Sequence, residues 1–134
     1  MQSYLTLFTN KTLSFGNSRE RHKKEFKEEM KKLNAPCIYC GGEIDYFAKN
    51  DANNSFTVEH VIPQACKTEG RNTAKNFAAA HWLCNEKRKA TDSSDVIKNS
   101  ETLKHIKEYI EFFKGKIVCQ LENYSEIIKK NYAI

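Results

Sequence analysis

The stretch "PCIYCGGEI", residues 36–44, sets Cys37 and Cys40 with two residues between them and follows them with Gly41-Gly42. Paired glycines permit backbone angles that side chains forbid, so the segment reads as a compact turn carrying two thiols. The same spacing returns at His81-Trp82-Leu83-Cys84, with His in place of the first Cys. Three thiolates and one imidazole are the donor set of a closed tetrahedral structural zinc site, which has no open position for a substrate. Cys37, Cys40, His81 and Cys84 are therefore the expected ligands of a structural Zn²⁺. Such a site contributes on the order of 10 kcal/mol to folding, because its ligands are not assembled in the unfolded chain.

The competing reading makes Cys37-Cys40 a redox pair and His81 a residue at a helix start, but the βαβ context of a thioredoxin-type motif is missing. The chain has five cysteines, an odd number without a secretion signal, which argues against a disulfide framework. Cys66 and Trp82 read as packing residues, and Cys119, within an apolar run, as a small core residue.

At 134 residues the chain is expected to form one domain, long enough to bury about two thirds of the surface its unfolded form exposes. Charged residues are 29% and hydrophobic ones 40%, too apolar for a disordered chain. No apolar run approaches the ~20 residues of a membrane helix, so a cytoplasmic protein without membrane contact is expected. The net charge of +5 is a mild bias, compatible with a polyanion partner but not demanding one. Basic residues gather in "RERHKKEFKEEMKK" (19–32) and "EKRKA" (86–90); for the first cluster a solvated helix face is at least as good a reading as a nucleic-acid contact.

The segment Ser18 to Leu33 reads as a helix whose Phe26, Met30 and Leu33 share one face, stopping before Pro36. His22 extends that stripe and is read as a half-buried helix residue. "DYFAKNDANN" (45–54) reads as a loop or hairpin tip, and "SFTVEHVI" as a β-strand from its Phe, Thr and Val content. Residues 63–75 are polar and read as a loop. "NFAAAHWLCNEKRKATDSS" passes from a short extended piece into a helix ending near Thr91. Leu103, Ile106, Ile110 and Phe113 predict an amphipathic helix over about 101–114, ended by Gly115. "KIVCQL" and "YSEIIKKNY" follow, with helix or strand open for the first.

Between the two knuckles lies Glu59-His60, at the end of an apolar run. Alone, the pair reads as a surface Glu beside a buried, hydrogen-bonded His. The ordered set "CIYCGG", "VEHVIPQ", "GRNTAKNF" and "HWLCNEKRK", however, resembles the HNH endonucleases, over residues 36–90, about two fifths of the chain. That family's pattern runs Cys-x-x-Cys, Asp-His-hydrophobic-x-Pro, an Asn before a short apolar piece, and Cys-x-x-Cys-Asn-x-x-Lys. The resemblance implies an α+β fold: a small ββα-metal core (36–92) stapled by the structural zinc and flanked by helical elements at 18–33 and 101–131.

It also implies site roles. His60 matches the general base that draws a proton from the attacking water, a task suited to a neutral imidazole. Asn76 matches the residue that orients this imidazole, with Asn72 the competitor. Glu59 and Asn85 match the ligands of a catalytic divalent cation, Mg²⁺ or Mn²⁺ from their hard oxygen donors. Arg88, with Lys87 and Lys89, falls where backbone phosphates of DNA would be contacted. Three positions depart from the pattern: Glu59 stands where Asp is usual, His81 replaces a zinc Cys, and Asn85 stands at the family name's third letter as an accepted variant. A zinc-stapled nucleic-acid-binding module without catalysis is the alternative, though it has no need of Glu59, His60 and Asn85 together. A cut through both strands of DNA often requires two active sites, which a homodimer would supply.

One physical tension accompanies the resemblance. Strict strand alternation turns Glu59 and His60 to opposite faces. They can serve one phosphate only if the strand bulges or ends there, and Pro63 fits such an ending.

Overall fold

In the computed structural model the described residues are 18–62, 74–88, 93–118 and 121–134. Pro63, Cys66, Asn72, Lys89 and Cys119, named above, lie outside them. Helix α1, Ser18–Leu33, has the bounds its sequence predicts. Its buried stripe of Phe26 and Met30 faces the sheet, and Leu33 packs partly against the same core. The helix is closed by Asn34 in the left-handed region (φ 53°), whose N–H donates back to the Lys31 carbonyl.

The sheet is an antiparallel pair of short strands, β1 (Phe56–His60) and β2 (Phe77–His81). Their register is regular from Phe56 opposite His81 to His60 opposite Phe77, with no bulge. A 3₁₀ turn, Ala74–Asn76, leads into β2, and α2, Trp82–Arg88, leaves it without an intervening loop. The short α3 (Ser93–Val96), then α4 (Ser100–Phe113) and α5 (Tyr124–Asn131), complete the described architecture, which is α+β. Asn99 caps α4, its side-chain oxygen accepting from the Thr102 N–H at 3.0 Å. Gly115 (φ 81°) follows the end of α4, as expected of a residue free to take that conformation. The undecided run after it holds a single bridge between Val118 and Leu121. Among the described residues no helix is long and apolar enough to cross a membrane.

The buried face of α4 differs from the predicted stripe. Ile106 and Phe113 are in the core, but the third fully buried member is Tyr109, while Leu103 and Ile110 are half-buried. The reason is a hydrogen-bonded chain along the outer edge of β2. The Ala79 N–H donates to the Tyr109 hydroxyl at 2.9 Å. Tyr109 stands 3.1 Å from the Tyr124 hydroxyl, which donates to the Phe77 carbonyl at 2.6 Å. Since a carbonyl can only accept, the direction is fixed: Tyr109 donates to Tyr124. On the same edge the Ile38 N–H donates to the Ala79 carbonyl at 2.9 Å. Side chains and a loop thus take the role a third strand would have.

Removing one hydroxyl from this chain leaves a buried N–H without a partner. Tyr109→Phe is expected to lower stability by about 1–3 kcal/mol in urea unfolding, with the bound-metal content unchanged.

Candidate metal and strand-end site

The turn that carries the first two cysteines is built by its own backbone. Gly41 donates to the Cys37 carbonyl at 2.9 Å, and Cys37 donates to that of Gly42 at 3.0 Å. Gly41 has φ 72°, and a Cβ there would also meet His105 Nδ1 of α4 at 2.8 Å, so two independent constraints require glycine. The N–H groups of Tyr39 and His81 point at Cys37 Sγ, and that of Gly42 at Cys40 Sγ, each at 3.4 Å. Donors aimed at sulfur favour thiolates.

The second pair arrives because β2 runs directly into α2, which places His81 and Cys84 one turn apart. The ligand atoms of Cys37, Cys40, His81 and Cys84 all lie within 4.8 Å of one another. His81 Nδ1 is 3.2 Å from Cys40 Sγ and 3.8 Å from Cys84 Sγ. A tetrahedral zinc at ordinary bond lengths separates its ligands by about 3.3–3.8 Å. His81 Nε2 lies 2.6 Å from the Glu43 carbonyl, so it carries the proton and leaves Nδ1 free to ligate. The thiols respond unequally to their crowding. A hydrogen bond from Cys84, helped by the backbone donors, pulls Cys37 down to about 5 against its burial. Cys84, which donates that bond and is itself desolvated, is pushed up. The four residues can hold a metal such as zinc.

Glu59 and His60 end β1. Both are buried, at 2% and 8% exposure, and they meet different neighbours. The His60 ring packs edge-on against Phe77, its cross-strand partner, at 5.4 Å. The Glu59 carboxylate instead turns toward α2 and the first knuckle, where it lies near Tyr39 and pairs with Arg88. Oε2 of Glu59 is 3.2 Å from Arg88 Nη1, but no N–H is aimed at it, so this buried oxygen has charge nearby and no hydrogen bond. Burial pushes the carboxyl up to about 7, an effect that Arg88, Tyr39 and the His60 backbone only partly offset.

Asn76 is buried and brackets the residue two beyond His60. Its Oδ1 accepts from the Ile62 N–H at 2.7 Å and its Nδ2 donates to the Ile62 carbonyl at 3.0 Å. Asn85 is half-buried on α2, three residues before Arg88, so the two share a helix face. Lys87 is exposed. Arg88, expected at the phosphate-contacting surface, is 7% exposed and points inward: its guanidinium donates to the carbonyls of His60 (2.6 Å) and Val61 (2.7 Å). Sequence reasoning missed Tyr39 and Tyr132, whose hydroxyls are 2.9 Å apart beside this cluster. No local pattern marks either tyrosine.

A metal-compatible Cys/His cluster at one end of a two-stranded sheet, with adjacent Glu and His at the other end of β1, defines an α+β module. Residues 37–91 match the HNH endonuclease family model, so this central part of the chain is similar to HNH endonucleases. No curated protein matches the chain.

Two outcomes follow for the folded protein. Stripping the metal with a chelator is expected to cost several kcal/mol or abolish cooperative unfolding, followed by circular dichroism, with recovery on adding zinc. For Glu59 the folded carboxyl lies above its ordinary 4.5, so folding favours the protonated form. That stabilisation is complete below pH 4.5 and is lost as pH rises through about 7. The stability of wild type relative to Glu59→Gln is therefore expected to fall across this window, by up to roughly 3 kcal/mol, and flatten above it.

Proposed function

We propose that the chain is a metal-dependent HNH-type endonuclease that hydrolyses phosphodiester bonds in DNA. The observation that carries the reading is the position of Glu59-His60 at the end of β1, inside the matched segment and between the two halves of the metal cluster. β1, β2 and α2, over 36–92, would form the ββα-metal core. Cys37, Cys40, His81 and Cys84 hold a structural zinc in this reading, and α1 with α4–α5 flank the core.

His60 is the general base that accepts the proton of the attacking water through its imidazole. Asn76, by holding both backbone groups of Ile62, sets where the chain goes after His60 and hence how the ring is presented. Glu59 and Asn85 would hold the catalytic cation, Mg²⁺ or Mn²⁺. The donor set suits a hard ion, and Glu59 Oε2 is a buried oxygen lacking a hydrogen bond. A divalent cation supplies charge stabilisation to the phosphate and the departing oxygen. Lys87, exposed on α2, and Lys89 beyond it supply sequence-independent phosphate contacts.

The test is cleavage of a supercoiled plasmid by the zinc-loaded chain in Mg²⁺ or Mn²⁺. Wild type is expected to nick or linearise it, and His60→Ala to cut roughly 10²–10⁴-fold more slowly with unchanged metal content. Undiminished cutting by His60→Ala would remove the base from the scheme. Salt-dependent binding without cleavage under either cation would favour a zinc-stapled binding module instead.

A further inference from the structure

Consecutive carbonyls along a regular strand point to opposite sides. The guanidinium of Arg88 nevertheless donates to two in a row, Nη1 to His60 O at 2.6 Å and Nη2 to Val61 O at 2.7 Å. One planar group can reach both only if the backbone turns between them. Strand β1 ends at His60, and the backbone bends at Val61 and Ile62, although the Val61 N–H still donates to the Asn76 carbonyl at 2.9 Å. The bend thus falls directly after His60, with Glu59 and His60 still in regular register on β2, and Arg88 sits on it.

We propose that Arg88 is a positioning residue: its guanidinium fixes the turn out of β1 and so sets the orientation of His60 and Glu59, instead of contacting phosphate. The inference rests on the reading of His60 as the base. The group is suited to the task. It is buried, its two terminal nitrogens are spent on the strand end, and the same Nη1 stands 3.2 Å from Glu59 Oε2. Only the fork of Arg presents two parallel donors at a fixed spacing; Lys offers a point charge. The cluster is braced from behind. Tyr39 has its ring 5.9 Å from the guanidinium carbon, and Tyr132 stands 2.9 Å from the Tyr39 hydroxyl. Tyr132 follows α5 and lies outside the matched segment, so the C-terminal part of the chain supports the site's geometry.

The experiment compares the zinc-loaded full chain with Arg88→Lys, Arg88→Gln and Tyr132→Phe. Three quantities are read: kcat and KM for cleavage, the salt slope of DNA binding, and amide hydrogen exchange. Both Arg88 variants are expected to lose about 10–100-fold in kcat with KM little changed, and Tyr132→Phe to lose less in the same direction. Exchange should quicken at Val61 and Ile62 while Ala79, bonded to Tyr109, stays protected. The salt slope should not change. A slope reduced by about one with exchange unaltered would make Arg88 a phosphate contact and overturn the proposal, as would unchanged kcat in Arg88→Lys. If Arg88→Gln fails to fold, Arg88→Lys and Tyr132→Phe decide the matter. If wild type does not cleave at all, the nuclease reading fails, and the exchange rates still decide whether Arg88 fixes the strand end.

Discussion

The outer edge of β2 is the constraint on which the rest of this structure depends. A two-stranded sheet of five-residue strands has little stability of its own, and one row of backbone groups on each strand lacks a strand partner. Here Phe77, Ala79 and His81 take partners from three separate places: Tyr124 and Tyr109 from the C-terminal helices, Ile38 from the first knuckle, and Cys37 Sγ from the metal cluster itself. β2 is thereby tied to both metal half-sites and to the helical extension. The position of β1, and so of Glu59 and His60, follows from its register on β2.

The other end of the sheet shows a different economy. Glu59, Arg88, Tyr39 and Tyr132 form a buried polar cluster where an apolar core would be as stable or more so, since desolvating an ion pair offsets most of its attraction. The raised carboxyl of Glu59 expresses that cost. The cluster lies at a strand end that also holds a buried histidine. Geometry that aims groups, and a buried oxygen without a directed hydrogen bond, count for more there than stability.

Much of this was legible from the sequence, and for physical reasons. The bounds of α1 follow from three apolar residues at helical spacing and a proline that the helix cannot approach. The four candidate ligands announce themselves because two residues between ligands is the spacing one ion can bridge, and the structure brings all four close enough to hold a metal. The likeness read from the ordered residues of 36–90 is met by a family-model match over 37–91. Less visible was whatever depends on which residue meets which. Tyr109 displaced Leu103 and Ile110 from the buried face of α4 because its hydroxyl serves a backbone N–H, a role hydropathy does not record. Arg88 reads as one of several surface cations in "EKRKA" until the strand end is seen to lie against it. The partnership of Tyr39 with Tyr132 spans 93 positions and leaves no local trace.

As proposed, Glu59, His60 and Asn85 converge on one space, and Cys37, Cys40, His81 and Cys84 separately hold zinc. A crystal structure of the zinc-loaded chain soaked in Mn²⁺, read by anomalous scattering at both metals' edges, tests it most directly. The predicted result is zinc bound by Cys37, Cys40, His81 and Cys84, and a manganese peak bonded to Glu59 and Asn85 with the His60 imidazole facing the same space. Manganese absent from Glu59, with His60 turned to the opposite face of the sheet, would contradict it.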